Sequence, residues 1–310
     1  MSVRFPVPTA VRGIRPRAFP WAAPTWPGGV ERPPVKRELG VDYETEWARR
    51  YGLRLARVLV TDGVTRPLAH LLAAPRVSGL DRLAHLDEPV IFAANHASHI
   101  DTPLLLSLLP ERWRYQTVVA AGADYFFDTA WKAALFAFAI NAIPIERQRV
   151  NRKSADLAAS LLDEGWSLLI FPEGGRTPDG WGQPHRAGTA WLSVRTDRPV
   201  VPVYMEGTRR ILPRHGGRIR PGTTNVTFGH PLRPPPGVDA RRLAVDIERA
   251  VDVLADEQAT DWWSARRRAA AGTTPSLTGP SAGAWRRTWV LTQRERSRDS
   301  ARQEPRWPRV

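Results

Sequence analysis

The sequence predicts an α/β fold, a single domain with a central, largely parallel mixed sheet flanked by helices. Two observations predict it. From residue 89 onward, short runs of apolar and β-branched residues alternate with helical segments, as in strand–helix–strand units. The chain has 310 residues, of which 42% are hydrophobic, and this is enough to bury the core of one such domain.

The predicted strands and helices follow one another along the chain. The strands are short apolar runs bounded by turn residues, and the helices show a longer apolar period, with stops at Pro110 and Gly165. The predicted strands are VIFAAN, YQTVVAAG, AIPIE, SLLIFPEG, PVVPVYMEG and TNVTFGHPL. The predicted helices are TPLLLSLLP, WKAALFAFA, SADLAASLLDEG, AGTAWLSVRTD and ARRLAVDIERAVDVLADEQATDWW.

Composition divides the chain into three parts. Residues 1–40 hold eight prolines before Glu38 and many arginines, which predicts a disordered arm. Residues 264–310 are small, polar and basic, which predicts a disordered tail. The domain between them spans residues 41–263. Its predicted parts are amphipathic helices over 41–76, a core that bears the motifs over 85–232, and a C-terminal helix over 238–263.

The formal net charge of +14 predicts an anionic partner. Most of the excess lies in the tail, where residues 264–310 carry eleven arginines and three acidic residues. An anionic membrane surface suits such a tail, and we expect no specific nucleic acid. A solvated tail without a partner fits the composition equally well. The absence of cysteine excludes disulfides, thiolate zinc sites and a cysteine nucleophile.

Two apolar segments bear on how the protein meets a membrane. Between residues 42 and 74 an apolar stripe runs beside arginines, and Gly63 and Pro67 are expected to break it into two helices. These helices either pack on the core or lie on an anionic membrane. Residues 130–145 are too short to span a bilayer and are predicted to form a buried helix that runs into a strand. The opening residues lack the apolar region of a signal peptide.

The heptapeptide NHASHID, residues 95–101, carries the first candidate for chemistry. A histidine is the usual general base for a hydroxyl group, and a carboxylate on its far ring nitrogen holds the tautomer and the orientation. His96 is five residues from Asp101, a separation that closes in a strand-to-helix turn, whereas His99 is only two residues away. The spacing favours His96 as the base and Asp101 as its partner, and His99 is expected to be structural.

Three further stretches follow in order. FPEGGRT places Glu173 and Arg176 in a glycine-rich turn after a strand, where an arginine suits a phosphate group or forms a loop salt bridge. NAIPIERQR places Arg147 after a short strand, either as a second phosphate ligand or as a solvated surface charge. VVPVYMEG is apolar and β-branched, which is typical of a core strand.

Over about residues 85–232, these four stretches together resemble the blocks of the glycerolipid acyltransferases (PlsC-like), the family that includes 1-acyl-glycerol-3-phosphate acyltransferase. NHASHID resembles the first block, His-x4-Asp, NAIPIER the second, FPEGGRT the third and VPVYMEG the fourth. Gly175, Asn141, Pro144 and Glu146 depart from the usual residues, and none of these changes removes a catalytic group.

The resemblance implies an α/β acyltransferase fold with His96 and Asp101 as catalytic residues. It implies substrate binding by Arg147, Glu173, Gly174, Arg176 and Thr177, with Glu173 either contacting the acceptor or holding the turn. We expect acyl transfer from acyl-CoA or acyl-carrier protein to lysophosphatidic acid, giving phosphatidic acid for phospholipid biosynthesis, with no cofactor and no metal.

The expected partners are therefore the acyl donor, a lysophospholipid acceptor and an anionic membrane surface. The expected location is cytoplasmic and peripheral, on the inner face of the cell membrane. Two alternatives stay open. In the first, the acceptor is another molecule, such as glycerol 3-phosphate, a glycolipid or an amine. In the second, the protein is a basic, non-enzymatic membrane-docking protein.

Overall fold

The computed structural model describes residues 40–146, 152–177, 180–212 and 218–279. All of them belong to a unit that spans residues 38–310. The predicted arm, except for its last residue Gly40, lies outside the described residues. Arg147 and the tail from residue 280 onward also lie outside them.

A seven-stranded mixed sheet forms the centre of the domain, in the order β1-β7-β6-β2-β5-β3-β4. Neighbouring strands are parallel except for β6 and β7, which are antiparallel. The predicted fold class, a largely parallel mixed sheet with flanking helices, is confirmed. The strands are β1 (Pro75–Ser78), β2 (Ile91–Ala94), β3 (Thr117–Gly122), β4 (Ala142–Ile145), β5 (Ser167–Ile170), β6 (Val200–Glu206) and β7 (Thr224–Phe228).

Strand β2 lies in the middle of the sheet and is buried on both faces. Ile91 pairs with Leu168 of β5 on one side and with Val200 of β6 on the other. A strand covered on both faces reads as a continuous apolar run rather than an alternating one, which explains the sequence IFAA. The motif NHASHID begins directly after this strand, so the central, buried strand of the sheet supports it.

Helices cover both faces of the sheet. Successive residues of β2 point to opposite faces: Phe92 belongs to one buried cluster, and Ile91 and Ala93 belong to the other. The helices are α1 (Tyr51–Val60), α2 (Arg66–Ala73), α3 (Asp101–Leu108), α4 (Glu111–Arg114), α5 (Ala123–Phe126), α6 (Ala130–Ile140), α7 (Arg152–Asp163), α8 (Gly188–Thr196), α9 (Thr208–Ile211), α10 (Ala240–Ala259) and α11 (Trp262–Ala271).

The predicted break between two N-terminal helices is wrong. A π-helical turn, Thr61–Thr65, joins α1 to α2, and the Arg66 N–H donates to the carbonyl of Thr61 across it. A π-turn inserts one extra residue without ending the helix, so Gly63 and Pro67 are accommodated. The predicted helical region also ends early, because residues 75–78 form β1, whose sequence PRVS lacks an apolar strand pattern.

Helix α6 is only partly buried, contrary to the expectation for residues 130–145. Ala133 and Ala137 face the core, whereas Trp131 and Leu135 are 66% and 49% exposed. Apart from Lys132 the helix is apolar on every side, so the sequence has no continuous polar face to mark the exposed one. The predicted strand after it is present as β4.

The C-terminal boundary predicted at residue 263 is also wrong. The long helix ends at Ala259, and a second helix, α11, begins after Asp261, whose side chain accepts the N–H of Ser264 at 2.9 Å. The guanidinium of Arg268 donates to both carboxylate oxygens of Asp256 on α10, at 2.6 and 2.7 Å. Ala265 is fully buried, so residues predicted as a solvated tail are part of the folded domain.

Candidate active site

The motif NHASHID forms the turn between β2 and α3, and Asp101 organises it. Asp101 is the first residue of α3 and is fully buried. Its Oδ2 accepts the N–H groups of Ala97 and Ser98, each at 2.7 Å, and lies 2.8 Å from His96 Nδ1. A carboxylate at a helix start also interacts favourably with the helix dipole. One oxygen therefore fixes both the shape of the turn and the ring of His96.

The imidazole of His96 is held on a second side by an aromatic ring. It stacks on Phe171 of the third block, with centroids 4.0 Å apart and planes 18° apart. Because Asp101 engages Nδ1, the proton on that nitrogen is retained and Nε2 is the nitrogen left to accept a proton. His96 lines the cavity described below, so Nε2 is available to a bound molecule.

Two residues of the third block hydrogen-bond the backbone of His96, one at its N–H and one at its carbonyl. Glu173 Oε1 accepts the His96 N–H at 2.8 Å, and the Thr177 N–H donates to the His96 carbonyl at 2.8 Å. Glu173 is buried, and this burial raises its pKa to about 7, although the N–H groups of His96 and Gln183 favour the charged form. The two blocks are thus one rigid unit at the ends of the adjacent strands β2 and β5.

The fourth block also supports this turn. The side chain of Asn95 pairs with the backbone of Met205 on β6, donating to its carbonyl at 2.9 Å and accepting its N–H at 2.7 Å. An amide side chain that satisfies both backbone groups of a residue closes a small ring and fixes its own orientation. The turn therefore has partners on both strands that flank β2.

The glycine of the third block is required by a close approach. Gly174 has a φ of +73°, and a Cβ built on it would lie 2.7 Å from Nε of Arg186. Only glycine adopts this backbone conformation readily and also leaves room for the guanidinium. Gly174 thus lets Arg186 lie over the turn, and both residues line the cavity.

Arg176 lies at the same cavity wall and contacts two rings. Its Nη1 lies against both ring nitrogens of His99, at 2.6 Å from Nε2, and its guanidinium carbon is 5.2 Å from the centre of the Tyr125 ring. An arginine placed between rings is held in one orientation, which suits it to bind an anion. His99, expected to be structural, therefore lies in the site beside Arg176.

A cavity of about 380 Å³ opens at the ends of the strands, next to these groups. One end is polar, with His96, Arg176 and Arg186. The remainder is a slot between the sheet and α6. Its apolar lining includes Val119, Phe126, Phe136, Ile140, Ile145 and Ile170. The site therefore matches a molecule with an anionic or polar head and a hydrocarbon part.

The structure brings together most of the sequence-predicted site residues, with two differences in role. Glu173 and Thr177, expected to bind substrate, do not line the cavity and instead hold the backbone of His96. Gly174 and Arg176 do line it. Arg147 lies outside the described residues, and its neighbour Glu146 is at the cavity wall.

Two residues at the site were missed by sequence reasoning. Arg186 lies over Gly174, and Thr189 lines the cavity near the start of α8, where its Oγ1 is buried and has no hydrogen-bond partner among the described residues. The pattern RAGT before a helical segment was the available signal, since helix starts bind anions and a basic residue beside one adds charge. That signal is weak without knowing that the cavity is adjacent.

Two further observations concern only the described ranges. No three His, Cys, Asp or Glu side chains within them converge as a metal site would require. No helix within them combines the length and the apolarity needed to cross a bilayer.

The chain is similar to known acyltransferases. A family model for acyltransferases matches residues 74–206. A chloroplastic 1-acyl-sn-glycerol-3-phosphate acyltransferase of Brassica napus is 28% identical over 159 residues, 50% of this chain and 44% of that protein. Human 1-acyl-sn-glycerol-3-phosphate acyltransferase alpha is 26% identical over 180 residues, 56% of this chain and 61% of that protein.

A solved structure shares the fold. The 1-acyl-sn-glycerophosphate acyltransferase PlsC of Thermotoga maritima superimposes with a TM-score of 0.52 at 22% identity, covering 70% of this chain and 87% of that one. The chain spans about half the length of several curated relatives that it matches, such as 44% of the Brassica protein and 52% of a Dictyostelium discoideum protein named Taffazin. The matched segment contains the first three blocks and all of the fourth except Gly207. Residues 74–206 are therefore similar to acyltransferases, and the chain shares the fold of the PlsC structure.

Proposed function

We propose that the protein transfers an acyl group from acyl-CoA or acyl-carrier protein to the hydroxyl of lysophosphatidic acid, forming phosphatidic acid for phospholipid biosynthesis. The observation that carries the proposal is the bond between His96 Nδ1 and Asp101 Oδ2, 2.8 Å long, at the polar end of an apolar cavity. A general base next to a slot for a hydrocarbon chain is what acyl transfer to an alcohol requires.

The proposed reaction has two steps. His96 Nε2 removes the proton of the acceptor hydroxyl, and the oxygen attacks the thioester carbonyl of the donor. The carbon–sulfur bond then breaks, and the leaving thiolate takes the proton from the imidazolium. Asp101 stabilises the imidazolium between the two steps, since it lies on Nδ1 throughout. No acyl-enzyme is formed, because the acceptor oxygen itself attacks the donor.

The acceptor phosphate belongs, in this proposal, at Arg176. This guanidinium lies at the polar end of the cavity beside His96, and Arg186 adds a second positive charge there. Charge-assisted bonds to phosphate are stronger than neutral ones and favour a phosphorylated acceptor over a neutral glycolipid. The relatives named above for 1-acyl-sn-glycerol-3-phosphate support the same acceptor.

We further propose that the protein docks on a membrane surface, where such acceptors reside. The continuous helix from α1 to α2 exposes an apolar stripe to solvent: Tyr51, Leu55, Leu59, Val64, Leu68 and Leu71. The spacing lengthens to five residues between Leu59 and Val64, where the π-turn lies, so the extra residue keeps the stripe on one side. Exposed apolar stripes of this size mark interaction surfaces.

Helix α6 adds to this surface. Arg57 of α1 donates to the carbonyls of Phe138 and Ala137 at the end of α6, at 2.6 and 3.3 Å, and burial lowers its pKa to about 10. The bond ties α1 to the helix that bears the exposed Trp131 and Leu135 and that also walls the cavity. The basic sequence segments outside the domain suit the anionic inner face of a cell membrane, the location that we propose.

The test is an assay of the purified full chain with one acyl-CoA and a panel of acceptors: lysophosphatidic acid, glycerol 3-phosphate, a neutral glycolipid and an amine. Free thiol is measured continuously and the product is identified by mass spectrometry. We expect phosphatidic acid from lysophosphatidic acid. A higher kcat/KM for glycerol 3-phosphate, the glycolipid or the amine would assign another acceptor, and no product from any acceptor would support the non-enzymatic alternative.

His96→Ala is the matched control for this assay and carries the largest expected effect. Removal of the general base should lower kcat by about 10³ to 10⁴. The circular dichroism spectrum should stay unchanged, since among the described residues the His96 side chain hydrogen-bonds Asp101 alone and stacks on Phe171, and the bonds of its backbone do not depend on the imidazole. Turnover of the folded variant at the wild-type rate would remove His96 from the mechanism.

A further inference from the structure

The chain folds back onto the active site after its last described helix. Residues 272–279, which we call the C-terminal strap, begin at Gly272, where α11 ends in a left-handed residue. The strap contacts the loop that follows the third block: the Gly182 N–H donates to the Leu277 carbonyl at 2.8 Å. A Cβ built on Gly279 would lie 2.9 Å from the ring of Trp181, so the two segments are in close contact.

Helix α10 holds the strap and the loop together. The Leu277 N–H donates to Oδ1 of Asp252 at 2.9 Å, and Asp252 is 8% exposed. One turn earlier on the same helix, Glu248 Oε2 accepts the N–H of His185 at 2.9 Å. The loop is therefore fastened to α10 directly through His185 and indirectly through the strap.

The same loop reaches the catalytic histidine through Glu173. The Gln183 N–H donates to Glu173 Oε2 at 2.9 Å, and Glu173 Oε1 accepts the His96 N–H at 2.8 Å. A path of short hydrogen bonds and adjacent residues thus runs from Asp252 to Leu277, Gly182, Gln183, Glu173 and His96. Asp252 and Leu277 lie outside residues 74–206, the segment that the acyltransferase family model matches.

We propose that Asp252 and the C-terminal strap are positioning elements of the active site, which act through the loop at 180–185 and Glu173 on the backbone of His96. The inference rests on the proposed acyl transfer. The physical reason for the proposal is that the carboxylate of Glu173 is buried. It keeps the His96 N–H in one position as long as its other oxygen is also bound. Without the strap, the Gly182 N–H loses the Leu277 carbonyl as an acceptor, and Gln183 is held less firmly although the His185 N–H still bonds to Glu248.

The test compares three full-length variants of α10. Asp252→Ala removes the acceptor for the strap, and Asp252→Asn keeps an acceptor oxygen. Glu257→Ala is the control, because it removes a carboxylate of the same helix that binds Arg82 at 2.6 Å, away from the described residues of the strap and the loop. We expect Asp252→Ala to lower kcat about tenfold with acceptor KM changed less than about twofold, since a small displacement of a catalytic group affects chemistry more than binding.

Asp252→Asn should restore most of the lost kcat, and Glu257→Ala should leave kcat within about twofold even if it lowers the melting temperature. If Glu257→Ala loses as much kcat as Asp252→Ala, the loss in Asp252→Ala is explained by general destabilisation of the protein, and the proposal is overturned. An Asp252→Asn variant as slow as Asp252→Ala would show that the hydrogen bond to Leu277 is not the cause, and would overturn it as well.

Amide hydrogen exchange of the peptide spanning residues 95–101 provides a readout that needs no turnover. We expect Asp252→Ala and Leu277→Pro, which removes the donor N–H outside the sheet, to speed exchange in this peptide severalfold, and Glu257→Ala to leave it unchanged. Unchanged exchange in both strap variants would overturn the inference. If the wild-type protein is inactive in the acyl-transfer assay and the variants still show the expected exchange, the proposed function is overturned and the positioning path is retained.

Discussion

The turn that bears His96 and Asp101 and the exposed helical surface of α1, α2 and α6 use opposite kinds of side chain in opposite surroundings. In the turn, polar groups are buried and bonded: Asp101 accepts from three donors, and Glu173 accepts from two. On α1, α2 and α6, large apolar groups are exposed, with Leu59 75% and Trp131 66% accessible. Burial of polar groups costs free energy unless they are paired, and exposure of apolar groups costs free energy unless something covers them.

The difference shows where each region finds its partners. The turn finds its partners within the chain: Asp101, Glu173 and Thr177 hydrogen-bond His96, and the ring of Phe171 stacks on it. The helical surface lacks apolar neighbours among the described residues, and a lipid surface is the partner that we propose for it. Changes in the turn should therefore alter catalysis in any medium, whereas changes on the surface should alter only membrane binding.

Asp101→Asn should give the largest effect within this comparison. An amide at this position no longer holds the proton on Nδ1 of His96, so kcat should fall on the order of 10³ in detergent and on vesicles alike. Steady-state kinetics in both media measures this. A loss seen only on vesicles would contradict the separation of the two regions.

Glu173→Gln should change how stability depends on pH. The pKa of Glu173 is raised from 4.5 to about 7 in the folded protein, so the folded state binds this proton more tightly than the unfolded chain does. Its stabilising contribution is present below about pH 4.5 and is lost as pH rises through 7, by on the order of 3 kcal/mol.

Urea unfolding of wild type and Glu173→Gln between pH 4.5 and pH 7.5 measures this contribution. The free energy of unfolding of the wild type should fall relative to that of Glu173→Gln as pH rises, because glutamine does not titrate. The neighbouring Asp252 and His185 also have shifted pKa values, and they cancel in the difference because both proteins retain them. Glu164→Gln, at an exposed site, is the control, and a pH-independent difference would show that Glu173 is not protonated near neutrality.

Arg176→Ala should raise the acceptor KM about 10- to 100-fold with a smaller change in kcat, because it removes charge-assisted bonds to the phosphate. Arg195→Ala is a suitable control, since that exposed arginine is on α8 and pairs with Asp156. Initial rates with lysophosphatidic acid at varied concentration measure both constants. An unchanged KM with a lowered kcat would place Arg176 in the chemistry rather than in phosphate binding.

Leu59→Asp should have the smallest effect, confined to the surface. We expect about tenfold weaker binding to anionic vesicles, because one apolar side chain is lost from the interface and a negative charge faces the lipid. Activity on detergent-dispersed substrate should stay at the wild-type value. Vesicle sedimentation measures binding, with Val245→Asp on the exposed side of α10 as the control. Equal loss in both variants would contradict a docking role for the stripe.

Much of the fold was predictable because its strands are short, apolar and buried. Six of the seven strands lie within the segments predicted from sequence. The seventh, β1, pairs with β7 at the sheet edge and is mostly exposed, so it has no apolar pattern to detect. Helix α11 was missed because its arginines are typical of a solvated tail. In the structure, Arg268 binds Asp256 and Ala265 is buried.

The sequence by itself determined the parts of this protein that depend on near neighbours in the chain. His96 and Asp101 are five residues apart across one turn, and the apolar run before them forms the central strand. Only the tertiary structure decided which distant groups meet there: Glu173 under the His96 backbone, His99 against Arg176, and Asp252 behind the strap. Local spacing limits which atoms of adjacent residues can bond, whereas contacts between residues far apart in the chain follow from the sheet order and the packing of helices upon it.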